Sequence, residues 1–353
     1  MEKLEKVIIG PELSIKQALK QMDVAAGKII FVVNTVNRLL GSVTDGDIRR
    51  WILKGGDLTE GISRVMNNSP AFLKEGYSRE EAKNLMVTKG IECIPIVDDQ
   101  KRIISAIWWV DFFEKTFRKH EPIHIPVVIM AGGEGTRLLP VTHVLPKPLI
   151  PIGGKPIIEL IIERFQRYGC LEFYLTVNYK ANMLKAYFSD FEHEYKINYV
   201  YEEKPLGTIG SLSLLKNCLK DAFFVSNCDI LIDADYSDIL RFHRENGNMI
   251  TLIVSMKHYI IPYGICDIKE GGVLKGIKEK PEYDFLVNTG SYLIEPEVLK
   301  DIPENTSYHA TDLIGDYIKK GKKIKVYPVS DKSWLDMGQW GEYQKMLKLF
   351  EAQ

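Results

Sequence analysis

The chain has 353 residues, 45% of them hydrophobic and 26% charged, a length that suits two domains. Its 46 Lys and Arg balance 47 Asp and Glu, a formal net charge of −1. That excludes the broad positive field with which proteins hold nucleic acid or an acidic membrane surface. No apolar run approaches a membrane span. The opening Met1-Glu-Lys-Leu-Glu5 has no signal-peptide pattern, and five scattered cysteines form no C-x-x-C pair, so a cytoplasmic setting is expected.

Residues 1–119 hold one pattern twice. Val33-Asn-Thr-Val-Asn-Arg-Leu-Leu-Gly-Ser-Val-Thr-Asp-Gly-Asp47 aligns without gaps on Val97-Asp-Asp-Gln-Lys-Arg-Ile-Ile-Ser-Ala-Ile-Trp-Trp-Val-Asp111. Arg38 answers Arg102 and Asp47 answers Asp111. Upstream, Ser14, Ala18 and Met22 answer Ser78, Ala82 and Met86. Each copy reads helix, strand, turn, strand, helix, with Ser14 and Ser78 as N-caps. One copy cannot bury its own sheet face, so the two are expected to pack as a pair.

Residues 120–125 read as a linker. His120-Glu-Pro-Ile-His124 spells H-E-x-x-H, but zinc binding needs a helix that sets both histidines on one face. Pro122 and Pro126 break such a helix.

The remainder, 126–353, opens with an apolar run that ends in Ala131-Gly-Gly-Glu-Gly-Thr-Arg137, followed by Pro146-Lys-Pro-Leu-Ile-Pro-Ile-Gly-Gly-Lys-Pro156. Gly132, Gly133 and Gly135 let the backbone turn tightly and approach a ligand. Amides of such a turn, and of a helix start after it, point at anions. Arg137 adds forked donors and Lys147 a mobile point charge. A Rossmann fingerprint fails at Leu138 and a P-loop at Leu149 and Pro156, and no kinase motifs follow.

Downstream, Ile157–Tyr168 reads as an amphipathic helix closed by Gly169. Segments 171–177, 196–201, 223–226 and 249–256 read as strands. The alternation predicts an α/β domain with a Rossmann-like, mostly parallel sheet and ligands at the strand ends. Phe223-Phe-Val-Ser-Asn-Cys-Asp229 is an apolar strand running into a carboxylate, which suits either a Mg2+ ligand or a cap. Asp233, Asp235 and Asp331 read as turn residues.

The glycine loop and the Pro-Lys-Pro segment together resemble the signature of the sugar-1-phosphate nucleotidylyltransferases, G-G-x-G-T-R-L-x-P-x-T and then P-K-P-L-x-P-x-G-x-K-P. The resemblance implies that Ala131, Gly132, Gly133, Gly135 and Thr136 cradle a nucleoside triphosphate, with Arg137 and Lys147 catalytic. It assigns Mg2+ to Asp229 and to Asp336, the latter through Trp334-Leu-Asp-Met-Gly338, which is similar to the family's W-x-D-x-G. Leu206-Gly-Thr-Ile-Gly-Ser-Leu212 resembles L-G-T-A-G-x-L, which assigns Gly207 and Thr208 to the nucleoside, with Ile209 replacing alanine. Pro262-Tyr-Gly264, Glu279-Lys-Pro281 and Asn288-Thr-Gly290 resemble sugar-phosphate motifs, implying roles for Gly264, Glu279, Lys280, Asn288 and Gly290.

The implied reaction moves a nucleoside monophosphate from an NTP to a sugar-1-phosphate and releases pyrophosphate. Pro-Lys-Pro with Gly153-Gly154 looks more like guanylyltransferases than thymidylyltransferases. The leading repeat is similar to transferases of bacterial surface-sugar and nonulosonic (legionaminic) acid pathways. GTP and glucosamine-1-phosphate are therefore the expected pair. UTP or CTP with another hexose phosphate, and a catalytically inactive nucleotide sensor, are the alternatives.

The repeat resembles a tandem pair of CBS domains. Gly41-Ser-Val-Thr-Asp-Gly-Asp47 is similar to the adenosyl-ligand signature, with Thr44 on phosphate and Asp47 on ribose. The second copy keeps Asp111 but has Trp108 for the threonine and Ser105 for the glycine. The resemblance leaves open binding of an adenine or other nucleotide and a purely dimerising role. A homo-oligomer, dimer or tetramer, is expected.

Overall fold

The computed structural model describes residues 2–25, 28–89, 91–109, 122–190 and 192–351. The chain divides into two compact units, Met1–Arg118 and Lys119–Gln353. Among the described residues no helix is long and apolar enough to cross a membrane. The five cysteines are free.

In the first unit the repeated sequence gives repeated structure. The first copy comprises α1 (Glu2–Glu5), β1 (Ile8–Ile9), α2 (Ile15–Ala25), β2 (Ile29–Val33), β3 (Leu39–Thr44) and α3 (Asp45–Leu53). The second comprises β4 (Leu73–Lys74), α4 (Arg79–Lys89), β5 (Cys93–Val97) and β6 (Ile103–Trp108). β1 lies parallel to β2 and β2 antiparallel to β3; β4, β5 and β6 repeat the arrangement. Ser14 Oγ accepts from the Gln17 amide at 3.2 Å and Ser78 Oγ from the Glu81 amide at 3.0 Å, as N-caps do.

The two copies meet turn to turn. The Leu39 amide donates to Lys101 O at 2.8 Å and the Ile103 amide to Asn37 O at 2.9 Å. Asn37 and Lys101 occupy equivalent left-handed positions, with φ 64° and 61°. Val7, Phe31 and Leu39 share one core with Cys93, Val97 and Ile103. Burial of apolar surface, the main source of stability here, is thus split between the copies. Trp108 packs on that shared core and Trp109 on the second copy's own core. Asp111, His120 and Glu121 lie outside the described residues.

The second unit begins with β7 (Val127–Met130), β8 (Pro151–Ile152), β9 (Lys155–Pro156), α5 (Ile157–Gln166), β10 (Glu172–Val177), α6 (Ala181–Ser189) and β11 (Lys196–Tyr201). It continues with β12 (Phe223–Asn227), β13 (Ile230–Ile232), α7 (Tyr236–Asn246), β14 (Ile250–Ile260), β15 (Ile265–Ile268), β16 (Leu274–Lys278) and β17 (Glu282–Ile294). α8 (Ala310–Lys319), β18 (Ile324–Val329), β19 (Trp334–Asp336) and α9 (Trp340–Glu351) complete it.

Seven of these strands form one mixed, mostly parallel sheet in the order β11-β10-β7-β12-β17-β14-β18. Only the two pairings made by β17 are antiparallel. Both faces are covered. Val127 and Ile129 of β7 enter one core with α5 and α7, while Val128 enters the other with α8. Phe224 and its neighbours Phe223 and Val225 divide the same way on β12. Successive side chains point to opposite faces, so a strand buried on both reads as an unbroken apolar run. α5 buries Ile157, Ile158, Ile161, Ile162 and Phe165, one face at helical spacing.

Candidate active site

β7 and β12 are parallel neighbours, with Met130 opposite Asn227, so the segments that follow them leave the sheet at the same edge. The glycine loop follows β7; Cys228-Asp229 follows β12. The Ala131 amide donates to Thr176 O at 3.0 Å. Gly135 turns at φ 68°, where a Cβ would lie 2.8 Å from Thr142 Cγ2 and 3.1 Å from Lys147 Cβ. Glycine is needed there twice over, by conformation and by space. A Cβ on Gly133 would meet nothing within 4 Å, which leaves that stretch open to a ligand.

No α-helix follows the loop. Three single turns of 3-10 helix, Thr136–Leu138, Val141–His143 and Lys147–Leu149, fill the path to β8. Pro140, Pro146, Pro148 and Pro151 interrupt any longer helix. The helix start expected from the sequence is therefore absent, and the positive charge comes from side chains.

Lys147 supplies it at the centre. Its Nζ is paired with Asp229 Oδ2, the two side chains only 12% and 10% exposed. β13 pairs antiparallel with β19, placing Ile230 opposite Asp336, and the Met337 amide donates to Asp229 O at 2.8 Å. That short ladder unites two aspartates far apart in sequence. A Cβ on Gly338 would lie 2.9 Å from Asp336 Oδ1 and 3.3 Å from Asp229 Oδ2. The Gly338 amide donates to Asp336 Oδ1 at 2.6 Å. Burial, and then the nearby Asp229 carboxylate, raise the Asp336 pKa, while the Gly338 amide, Lys147 and Arg137 pull against them. Arg137 is exposed but lies within this field.

Two converging carboxylates are a hard-oxygen donor set. They fit Mg2+, which commonly takes one or two protein carboxylates and completes its shell with water and phosphate. Among the described residues no group of three or more His, Cys, Asp or Glu side chains could hold a metal by itself. Three further aspartates of this unit have partners within the protein: Asp233 pairs with Arg164 at 2.8 Å, Asp235 caps α7, and Asp331 pairs with Lys257.

The β14–β17 pair carries the sugar-phosphate candidates. Its register shifts at Ile253/Val254, where Ser291 and then Asn288 are the partners, so Thr289 and Gly290 bulge. Gly290 has φ 81°, and a Cβ there would collide with Asn227 Nδ2, two residues before Asp229. Asn288 Nδ2 donates to Tyr292 OH at 2.8 Å, and its Oδ1 accepts from the Gly290 amide at 3.0 Å. Gly264 lies against Glu279, whose Oε2 would be 2.8 Å from a Cβ there. Glu279 and Lys280 are exposed.

The sequence profile of the nucleotidyl transferase family matches residues 126–353, and that of the CBS domain matches 3–54 and 62–107. The chain belongs to the nucleotidyl transferase family. A UTP–glucose-1-phosphate uridylyltransferase of Synechocystis sp. is 32% identical over 243 residues, covering 63% of this chain and 62% of that protein. The mannose-1-phosphate guanylyltransferase catalytic subunit beta of Dictyostelium discoideum is 37% identical over 189 residues, covering 51% of this chain and 52% of that one. The chain thus spans less than two thirds of the length of these relatives. HddC from Yersinia pseudotuberculosis matches in structure with a TM-score of 0.51 at 25% identity, over 64% of this chain and 99% of that one.

Within the nucleotidyl transferase unit, Gly207 and Thr208 also make contacts inside the protein. Gly207 has φ 79°, and a Cβ would lie 2.6 Å from Tyr308 O. Thr208 Oγ1 accepts from the Ala310 amide at 3.0 Å, at the start of α8. The turn at Gly207 thus runs close to the Tyr308 backbone. One acidic residue was not singled out by the sequence motifs. Glu202, just past β11, is 9% exposed, and a Cβ on Gly132 would lie 2.7 Å from its Oε1. A carboxylate at a strand end, the feature that marks Asp229, marks Glu202 as well.

In the CBS pair, Thr44 and Asp47 form the capping box of α3. Thr44 Oγ1 and the Thr44 amide both donate to Asp47 Oδ2, at 2.6 and 2.8 Å, and the Asp47 amide donates to Thr44 Oγ1 at 3.2 Å. Arg50 pairs with the other Asp47 oxygen.

Proposed function

We propose that the second unit, with 120–125 as linker and 126–353 as catalytic domain, transfers a nucleoside monophosphate from an NTP to a sugar-1-phosphate, with GTP and glucosamine-1-phosphate as the pair. The convergence of Lys147, Asp229, Asp336 and Arg137 at the mouth of the glycine loop carries this reading. A phosphate oxygen of the sugar attacks the α-phosphorus. A new P–O bond forms, the α–β bridging P–O bond breaks, and pyrophosphate leaves. The attacking phosphate is already ionised near neutral pH, so no general base is required.

The obstacle is charge. Two unit charges about 4 Å apart repel by about 4 kcal/mol at an effective dielectric near 20, and these phosphates carry several. Preorganised positive groups and fixed geometry are the remedy. Lys147, held in place by Asp229, faces the α-phosphate position; Arg137 meets the departing pyrophosphate. Amides of Gly132 to Gly135 hold the triphosphate. Asp229 and Asp336 would hold Mg2+, which when bound would supply positive charge against the phosphates. Asn288 and Glu279 orient the sugar hydroxyls, and Gly290 and Gly264 leave room for them.

Guanine is supported by the Dictyostelium relative, named a guanylyltransferase. The Synechocystis relative, named a uridylyltransferase, supports the second reading, UTP with a hexose phosphate. Mg2+-dependent pyrophosphate release over GTP, UTP, CTP, dTTP and ATP, each with glucosamine-, glucose- and mannose-1-phosphate, separates them. The expected maximum is GTP with glucosamine-1-phosphate. Release from no combination would support the inactive sensor instead.

A further inference from the structure

We propose that Trp340 and Tyr343, in the first turn of α9, position Lys147 by clamping both ends of the segment that carries it. The proposal rests on the nucleotidyl-transfer reading above and adds the device that sets the lysine opposite the α-phosphate.

Between Leu139 and Pro151 the chain makes two single turns of 3-10 helix, Val141–His143 and Lys147–Leu149. Such turns leave most carbonyls without a helical partner. Pro140, Pro146, Pro148 and Pro151 have no N–H to give. Pro151 stands opposite Pro156 in the β8–β9 pair, so neither can donate to the other. Side chains from the start of α6 and from α9 take up carbonyls instead. On one side Tyr179 OH donates to Thr142 O at 3.0 Å and Lys180 Nζ to Val144 O at 2.8 Å. On the other, Trp340 Nε1 donates to Leu139 O and Tyr343 OH to Pro151 O, each at 3.0 Å. Lys147 lies between these last two anchors.

The clamp is fixed to the body of the domain. Trp340 and Tyr343 stand three residues apart on one face of the helix, their rings 5.7 Å apart and crossed at 70°. Met346, on the same face, is 1% exposed, and Tyr343 packs against the core that Met346 enters. α9 begins two residues after Gly338, so one stretch of chain carries both Asp336 and the clamp. The aspartate pair and the lysine segment are thereby held in one frame.

A hydrogen bond of this kind adds little to overall stability, since water replaces it when it is lost. Trp340 is 37% exposed, so shortening it opens no core. Placement is the sensitive quantity: a shift of about 1 Å at a reacting group costs about 100-fold in rate. The clamp therefore acts on turnover far more than on folding.

Trp340→Phe and Tyr343→Phe each keep a ring and remove the donor. The test uses the full-length protein with the triphosphate and sugar phosphate that the wild type turns over best. The double variant should lose about 10- to 100-fold in kcat, with KM for the sugar phosphate and the thermal midpoint little changed. The two diastereomers of the α-thio triphosphate differ only in which α-phosphate oxygen is sulfur. The ratio of their kcat/KM values reads the placement of groups around the α-phosphorus and does not depend on the folded fraction. That ratio should move by about fivefold or more in the double variant, and part of the way in each single variant. Unchanged turnover, or a loss of turnover with an unchanged diastereomer ratio, overturns the positioning role and leaves the transfer reading standing. A wild type that releases no pyrophosphate from any pair overturns both.

Discussion

Lys147 and Asp229 form a nearly buried ion pair at the centre of the site, and each has a second task in the proposed reaction. Removing one partner of such a pair typically costs about 3–5 kcal/mol, because the other is left charged and unpaired. Lys147→Met should therefore lose both stability and orders of magnitude in turnover. The double variant Lys147→Met with Asp229→Asn should recover much of the stability and none of the turnover. Thermal unfolding set beside pyrophosphate release checks this; recovery of both would make the pair purely structural. Arg137, Lys147, Asp229 and Asp336 were legible in the sequence because each stands at a fixed offset within a motif. Glu202 was not, because what marks it is burial against Gly132, a contact between distant segments. Gly207 was legible as a tight turn, but its partner, the Tyr308 carbonyl, was not.

Among the elements, the bulge in β17 ties the sugar-phosphate candidates to the aspartate strand. Gly290→Ala puts a side chain at φ 81° and into Asn227. Displacement at a reacting centre is costly, so kcat/KM for the sugar phosphate should fall on the order of tenfold or more, with KM for the NTP less affected. Steady-state kinetics with each substrate varied in turn decides it; equal effects on both would place Gly290 away from the sugar. Helix α7 holds a pH-sensitive contact. His243 is wholly buried, with Nδ1 2.8 Å from Thr251 Oγ1 and Nε2 3.1 Å from Glu295 Oε1. Burial pushes its pKa down to about 4 from the usual 6.5. The native state then binds fewer protons than the unfolded one between those values, so its contribution to stability is present above 6.5 and is lost as pH falls through the window. The slope is at most about 1.4 kcal/mol per pH unit. Glu295, raised chiefly by burial, works in the opposite sense above its ordinary value and reduces the slope. Urea unfolding of wild type and His243→Asn at pH 7 and pH 5 should show the smaller loss in the variant. Element types were mostly readable: 196–201 is the strand expected, and the 157–168 helix ends two residues early, at Gln166, before Gly169 turns at φ 82°. The strand expected to end at 256 runs on to Ile260 because β17 pairs with it that far, the exposed Tyr259 and Ile260 being held by the backbone ladder and not by a core.

At the scale of the whole molecule, a CBS pair and a nucleotidyl transferase unit share one chain. The pairing of the two repeats could be foreseen from their alignment, and the turn-to-turn hydrogen bonds show how it is made. Thr44 and Asp47 remain the proposed nucleotide contacts of the CBS pair, with Asp111 the counterpart in the second copy. If they serve a ligand, AMP, ATP or a CMP-type end product should shift kcat/KM, and Asp47→Ala should abolish the shift while basal turnover persists. Unchanged kinetics with all of them would assign the pair to assembly of the expected dimer or tetramer, measurable by sedimentation. The central claim is transfer itself, and phosphorus NMR of the wild-type reaction with Mg2+, GTP and glucosamine-1-phosphate tests it most directly. The account predicts equal amounts of pyrophosphate and a guanosine diphosphate sugar, and no product without Mg2+. Orthophosphate in place of pyrophosphate, or no sugar-linked diphosphate with any NTP, would contradict it.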